Sequence, residues 1–370
     1  MIPTTLTLGV EEELQLIDPS TFELVSAATH VAALADHALA PRLREEVHQG
    51  VIEIVTDVCS DVATIREGLV ANRIAVRDLA GRAGLAIAAA GVHPFSDWRA
   101  QVFTDTPRMG WVARELGGPA PGLTCFGLHV HVGVPDDDEA VAVINRLRPY
   151  LPHLLALSTS SPIWNGRPSG LMSTRAELRR ALPRTGIPDA FASYADYRRH
   201  VDLLLRTNSI DIERRLWWDV RRSPHYPTIE LRISDMPTRI EDTVALVALS
   251  QALIAHLLAE HRRGVAYDVV PTSLIEENRR RAMRFGVRCQ LADFSLGTEV
   301  PFASAMDQLI RLVSDAATEL GTRDELEQIR RIVSDGTSAE HQLAVHAASR
   351  DPREVVDWLL RETQRDIPHE

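Results

Sequence analysis

The chain has 370 residues, 45% of them apolar, a formal net charge of −11, and 40 basic residues that are all arginine. Without lysine it cannot build a Walker-A phosphate loop, a kinase strand lysine, a pyridoxal Schiff base or a carbamylated-lysine metal bridge, so phosphate handling falls to arginine forks, backbone amides and metal ions. The acidic balance argues against a nucleic-acid or anionic-membrane partner.

Three scattered cysteines, Cys59, Cys125 and Cys289, show no CxxC spacing and suit a reducing cytosol. Met1-Ile2-Pro3 runs straight into a strand, so no signal peptide is expected. The most apolar stretches, 244–258 and 85–92, read as too short or too interrupted to span a bilayer.

Residues 5–17, between Pro3 and Asp18-Pro19, read as a strand with carboxylates inside an apolar run. Alternate side chains of an extended chain share a face, so Glu11 and Glu13 point the same way, about 7 Å apart. Burying such a pair uncompensated is costly, and a divalent metal is the usual compensation. On this segment alone an exposed edge strand with a wet face explains the pattern equally well. A helical stretch, 27–38, and a strand centred on Glu53 follow. Ser60 or Asp61 caps a long amphipathic helix to about Gly81. Residues 85–91 read as a buried strand, and 104–122, rich in Gly and Pro, as a loop. The strand 128–134 puts His129 and His131 on one face, and acids at 136–138 suit the start of a helix over 139–157. The irregular stretch 158–185 reads as a functional loop or lid. A helix over 194–205 leads to Trp217-Trp218 and to the strand 228–234, where Glu230 and Arg232 share a face. Everything after Ile240 reads helical, in segments 241–263, 273–285, 304–320, 323–334, 338–348 and 352–364.

Four strands thus carry ligand-type groups in period two against an apolar opposite face. A sheet with one greasy side packed on helices and one acidic, histidine-bearing side lining a cavity explains all four; solvated strand faces are the plainer alternative. Oxygen ligands with an occasional histidine suit Mg²⁺ or Mn²⁺ better than zinc. The expected architecture is a single α+β domain over 1–370. Its antiparallel-biased, curved sheet (about 5–235) is backed by helices, with a helical C-terminal part (about 240–365). A separate helical domain from about 240 is the alternative.

Several segments together resemble the carboxylate–amine ligase family, the glutamate–cysteine ligase type 2 group. They are Leu8-Gly-Val-Glu-Glu-Glu-Leu-Gln-Leu-Ile-Asp18, Glu46-Val-His-Gln-Gly-Val-Ile-Glu53, His93-Pro-Phe-Ser-Asp-Trp98 and Gly127-Leu-His-Val-His-Val-Gly133. Trp218-Asp-Val-Arg221, Tyr226-Pro-Thr-Ile-Glu-Leu-Arg232 and the segment 277–286 complete the set. The resemblance runs in order from about residue 5 to 290. It implies a fold related to glutamine synthetase and the guanidino kinases, whose concave sheet face holds ATP and Mg²⁺. It also implies the reaction: a carboxylate, typically the γ-carboxylate of glutamate, takes the γ-phosphoryl of ATP, and an amine displaces phosphate to form an amide. Small-molecule carboxylate and amine substrates, a cytoplasmic location and a homodimer belong to the same implication.

Carried over by position, Glu11, Glu13, Glu46, Glu53, His129 and Glu230 match metal-binding positions, and Arg232 a phosphate-binding arginine. All but Glu46 had already fallen on the ligand face. Arg232 and Glu53 are the expected catalytic groups. Arg175 and Arg221 are further nucleotide candidates, each weighed against a surface or structural ion pair, and Arg284 is a phosphate candidate from the helical arginine cluster 279–284, not all of whose members can face one site. His131 stays open between metal ligand, substrate contact and buried hydrogen-bonded histidine. His93 with Trp98 reads as a structural corner, Cys125 as core, and Trp164 as either a substrate cover or core. The resemblance also shows a departure: Leu171 and Thr174 stand where tyrosines are expected, and Arg222 where a proline is, so the substrates need not be glutamate and cysteine.

Two rival readings are a metal-dependent amide hydrolase, suggested by the His-x-His strand, and a non-catalytic MgATP-binding relative. The first is opposed by the late position of that strand and the missing lysine, the second by the full carboxylate set.

Overall fold

The computed structural model describes residues 6–44, 46–106, 110–112, 115–116 and 124–367, so most of the loop expected over 104–122 lies outside the described residues. At its centre is a seven-stranded sheet. Strand β1 (Leu8–Ile17) runs between β3 (Val51–Val55) and β5 (Leu128–Gly133), and its far end also pairs with β4 (Ala86–Ala88). The short β2 (Leu43–Arg44) closes one edge. The strands Thr228–Leu231 and Val220–Arg222 extend the other. Every pairing in this sheet is antiparallel, and the helices lie largely in the C-terminal part, which is the fold class expected from the sequence.

Alternation sorts the strand residues between two faces. Leu8, Val10, Leu14 and Leu16 are almost fully buried behind β1. That back face packs on the helices Val62–Arg82 and Ile240–Arg262. One apolar cluster joins Leu6 near the start to Ile367 near the end. The back face is not purely apolar, contrary to expectation. Glu12, fully buried, meets Arg73 of the Val62–Arg82 helix at 2.6 Å. Arg73 also donates to the carbonyls of Thr238 at 2.7 Å and Thr363 at 3.3 Å. A buried carboxylate is tolerable there because a guanidinium fork satisfies it.

Several elements differ from the sequence reading for identifiable reasons. The helix expected over 27–38 shrinks to Ala28–Ala32, and the Asp36 carboxylate caps the N–H groups of Ala38 and Leu39 in a turn ahead of Pro41. The helix expected over 139–157 is broken into Asp137–Leu147, a 3-10 turn Arg148–Tyr150 and Leu151–Ser158, because Pro149 and Pro152 cannot donate to the ladder. The C-terminal part is not wholly helical: Gln290–Asp293 and Thr298–Pro301 form a hairpin, turned by Asp293, which accepts from the N–H groups of Ser295 and Leu296. The 23-residue helix Ile240–Arg262 is long and apolar enough to cross a bilayer by length and composition, against the sequence reading, but 83% of its most apolar window is buried inside the protein. Asp61 caps the Val62–Arg82 helix by accepting from the N–H of Thr64, as anticipated.

Candidate active site

Antiparallel register lines up the front-facing side chains of the sheet. Glu53 stands opposite Glu13, Glu11 opposite His129, His131 opposite Gly9 and Glu230, and Glu230 opposite Arg221. The loop after β2 adds Glu46. Three groups result, each with ligand atoms within 4.8 Å of one another: Glu13–Glu46–Glu53, Glu11–Glu53–His129 and Glu11–His131–Glu230. Glu11 and Glu53 each belong to two of them. All six positions expected to bind metal are therefore brought together, and His131, left open by the sequence, joins them.

The electrostatics differ along the row. Burial and the neighbouring Glu46 raise the Glu13 carboxyl to about 7. Glu53 is also held well above the usual range by burial, with Glu11 and Glu46 adding to it. Glu11 behaves oppositely: burial would raise it, but hydrogen bonds from His129 and His131 outweigh that and leave it low. His129 Nδ1 lies 2.8 Å from Glu11 and 3.9 Å separates its Nε2 from Glu13. Burial, with Arg232 nearby, pushes His129 down to about 3, so the ring is neutral. A neutral imidazole donating from Nδ1 leaves Nε2 as a bare acceptor, and that atom is buried without a hydrogen-bond partner. A divalent cation fits this set on two counts. It would take the orphaned nitrogen, and it would relieve carboxylates that repel one another.

His131 Nδ1 meets the Thr228 hydroxyl at 2.9 Å, and its Nε2 lies 3.2 Å from Glu11. Burial opposes its charge, yet Glu11 and Glu230 hold its pKa above the ordinary value.

The arginines need the most correction. Arg232, just past its strand, pairs with Glu230 on the front face and keeps a buried Nε without a partner, which suits an anion-binding role. Arg221 grips Glu230 through two bonds of 2.8 and 3.0 Å and donates to the carbonyls of Leu216 and Arg214, which suits a positioning group for that carboxylate. Arg175 is 1% exposed and donates to the carbonyls of Arg232 and Ile233, both at 3.2 Å. Backbone carbonyls hold it in place. Only glycine fits at 127, where a Cβ would sit 2.1 Å from the Arg175 guanidinium. Arg284 is exposed, over the Phe285 ring at 5.1 Å, and meets none of the cluster residues. Its helix neighbour Arg279 is the buried one, paired with Asp219 at 2.8 Å.

The stretch 158–185 is tied to the sheet. Buried Asp235 accepts from the Ser160 N–H (3.0 Å) and from the hydroxyls of Ser161 and Ser173 (2.7 Å each), fastening the start and the middle of the stretch beside the Glu230 strand. Within it lie a small hairpin bearing half-buried Trp164 and the helix Thr174–Arg180. His93 is indeed a corner: its Nε2 meets the Phe22 carbonyl at 3.0 Å and its Nδ1 accepts from the Ser96 N–H. Burial pushes the Cys125 thiol up to about 12, which removes it as a nucleophile. At the Glu11–His131 end a cleft of about 470 Å³ opens, walled by Val10, Val58, Tyr226 and Pro227 and edged by Arg42 and Arg44. The sequence had not picked it out, because its lining comes from five separate segments.

An antiparallel sheet with a carboxylate-lined front face and helices behind is a fold that solved structures share. The fold matches glutamate–cysteine ligase from Francisella tularensis, solved with AMP, at a TM-score of 0.75 and 13% identity, over 100% of this chain and 90% of that one. It also matches a bifunctional glutathione synthetase from Pasteurella multocida at a TM-score of 0.71 and 14% identity, covering 98% of this chain and 53% of that one. The chain belongs to glutamate–cysteine ligase family 2, whose model matches residues 7–358. Relatives from Sorangium cellulosum (46% identical, covering 96% of both chains) and Solibacter usitatus (40% identical, 97% of this chain and 94% of that one) each carry the name "Putative glutamate–cysteine ligase 2".

Proposed function

We propose that this chain is an ATP-dependent carboxylate–amine ligase, working as one catalytic unit, that forms an amide through an acyl phosphate. The observation that carries the reading is the trio of overlapping ligand clusters sharing Glu11 and Glu53. Glu11, Glu13, Glu46, Glu53, His129, His131 and Glu230 would hold Mg²⁺ or Mn²⁺. When bound, such cations neutralise triphosphate oxygens, which is the main requirement of phosphoryl transfer onto an anionic nucleophile.

The chain's own groups then have distinct tasks. The Glu11–His131 cleft, apolar and aromatic-edged, receives the base and ribose of ATP and leaves the phosphates over the carboxylate row. Arg232 presents its unpartnered Nε to the transferring phosphoryl oxygens. Arg221 and Asp235 keep Glu230 and the neighbouring wall in register. A carboxylate oxygen of the substrate attacks the γ-phosphorus and ADP leaves. The amine then adds to the acyl carbon, phosphate departs, and the amine gives up a proton. The wall over 158–185 shields the acyl phosphate from water.

The test is ADP and phosphate release with carboxylate–amine pairs, glutamate with cysteine first. Product formation that needs ATP, a divalent cation and both substrates supports the reading; amide hydrolysis without ATP overturns it.

A further inference from the structure

The hairpin Gln290–Asp293/Thr298–Pro301 takes no part in the chemistry just described, yet it helps to wall a cavity of about 510 Å³. The other walls are the helices Thr272–Phe285 and Phe302–Leu320, the turn Arg148–Tyr150 and the start of the helix Leu151–Ser158. Among the described residues, none from the central sheet or the ligand clusters lines it. Ile275, Leu291, Val300 and Leu309 make the lining mainly apolar, and Phe294 adds a ring that is 40% exposed. Protein interiors leave few voids larger than a water molecule, whereas small-molecule sites run to roughly 300–1,000 Å³.

Most polar groups of the lining already have partners. Asn278 donates to the Ala292 carbonyl at 2.9 Å and accepts from its N–H at 2.7 Å. Asp293 accepts from the N–H groups of Ser295 and Leu296. His153 differs, because its Nδ1 is buried without a hydrogen-bond partner. Its ring lies 5.9 Å from that of Tyr150 and 6.0 Å from that of Phe302. Burial pushes its pKa down to about 4, so the imidazole is neutral at physiological pH, with one donor and one acceptor nitrogen. Among the described residues no arginine lines the cavity, and the chain has no lysine. A phosphate or carboxylate dehydrated there would go uncompensated.

We propose that this cavity is a second small-molecule site, apart from the reactive face, for an uncharged aromatic compound whose single hydroxyl or ring N–H meets His153. Charge bars both the nucleotide and an acidic substrate from it, so its occupant is a different kind of molecule from those the ligase reading requires. The assignment stands on the cavity alone and does not depend on that reading.

2-Naphthol and 2-naphthoate share a ring system and differ in charge. Each is titrated calorimetrically into the full chain as wild type, Ala305→Phe, Leu312→Trp and His153→Phe. Ala305 and Leu312 are half-buried residues of the lining, so the larger side chains fill the cavity. Two filling variants are used so that a lost thermal transition in one leaves the other. The wild type should bind 2-naphthol, and 2-naphthoate at least about tenfold more weakly. Either filling variant should abolish 2-naphthol binding. His153→Phe keeps a flat ring and should weaken 2-naphthol by about two- to tenfold, the worth of one hydrogen bond. Equal affinity for the two compounds in the wild type overturns the proposal. So does 2-naphthol affinity that is unchanged in a folded filling variant or in His153→Phe. A wild type that binds neither compound overturns it as well; if that protein sediments as a dimer that Ala305→Phe dissociates, the occupant is a second copy of the chain.

Discussion

Glu12 and Glu13 are neighbours on one strand, and each is at least nine-tenths buried, yet they meet opposite environments. Glu12 points back into the helices, where the Arg73 fork satisfies both its oxygens. Glu13 points forward onto a face where Glu46 and Glu53 stand beside it, and burial together with the Glu46 charge raises its pKa. The two differ by one position in period two, and with it by everything that matters. A buried carboxylate with its own cation holds a fold together, whereas buried carboxylates without one wait for something to bind.

The largest expected effect breaks the back-face pair. Glu12→Gln leaves Arg73 buried and uncompensated and should lower the unfolding free energy by about 3–5 kcal/mol in chemical denaturation. A loss under about 1 kcal/mol would mean that the carbonyls of Thr238 and Thr363 suffice for Arg73. On the front face the cost should move from stability to rate. Glu53→Gln is expected to lose at least about 10²-fold in ADP formation, with no loss of melting temperature in metal-free buffer, because one repelling carboxylate has gone. Unchanged turnover would strike Glu53 from the site.

The pH response sharpens the same contrast. Glu13 is raised from 4.5 to about 7, so its contribution to stability is fully present below about pH 4.5 and disappears as the pH climbs through 7. Metal-free wild type should therefore lose up to about 1.4 kcal/mol per pH unit across that window relative to Glu13→Gln. Added Mg²⁺ should restore the difference, and more of it at higher pH. Denaturation curves of the two proteins at pH 5, 6, 7 and 8 decide the matter; parallel profiles would show Glu13 to be ordinary. The smallest effect belongs to Arg284→Gln. This exposed side chain meets none of the cluster residues, and both stability (within about 0.5 kcal/mol) and turnover should stay put.

The front-face residues were legible because alternation is a local property: Glu11, Glu13, Glu53, His129, Glu230 and Arg232 could be put on one side of a sheet before the strands were paired. Glu46 needed the family resemblance, since it sits in a loop with no period to read. The roles of Arg175 and Arg221 were not legible, because their partners are a glycine backbone, peptide carbonyls and a carboxylate brought near by pairing. Glu12 escaped for a different reason. Its partner stands 61 residues away on a helix whose buried face otherwise reads apolar, with only Asn72 to hint at polar contact. Helix limits failed where proline and an aspartate turn competed with periodicity, at Pro149, Pro152 and Asp36.

The brace behind β1 also sets a timetable. Arg73 completes its hydrogen bonds only with the Thr363 carbonyl, and the hydroxyl of the same threonine accepts from the Ala89 N–H. Glu12 and Arg73 are made early and Thr363 some 290 residues after Arg73, so the brace behind the acidic strand is completed only once that threonine has been made. A chain that has not reached it would present the strand with part of its rear support missing.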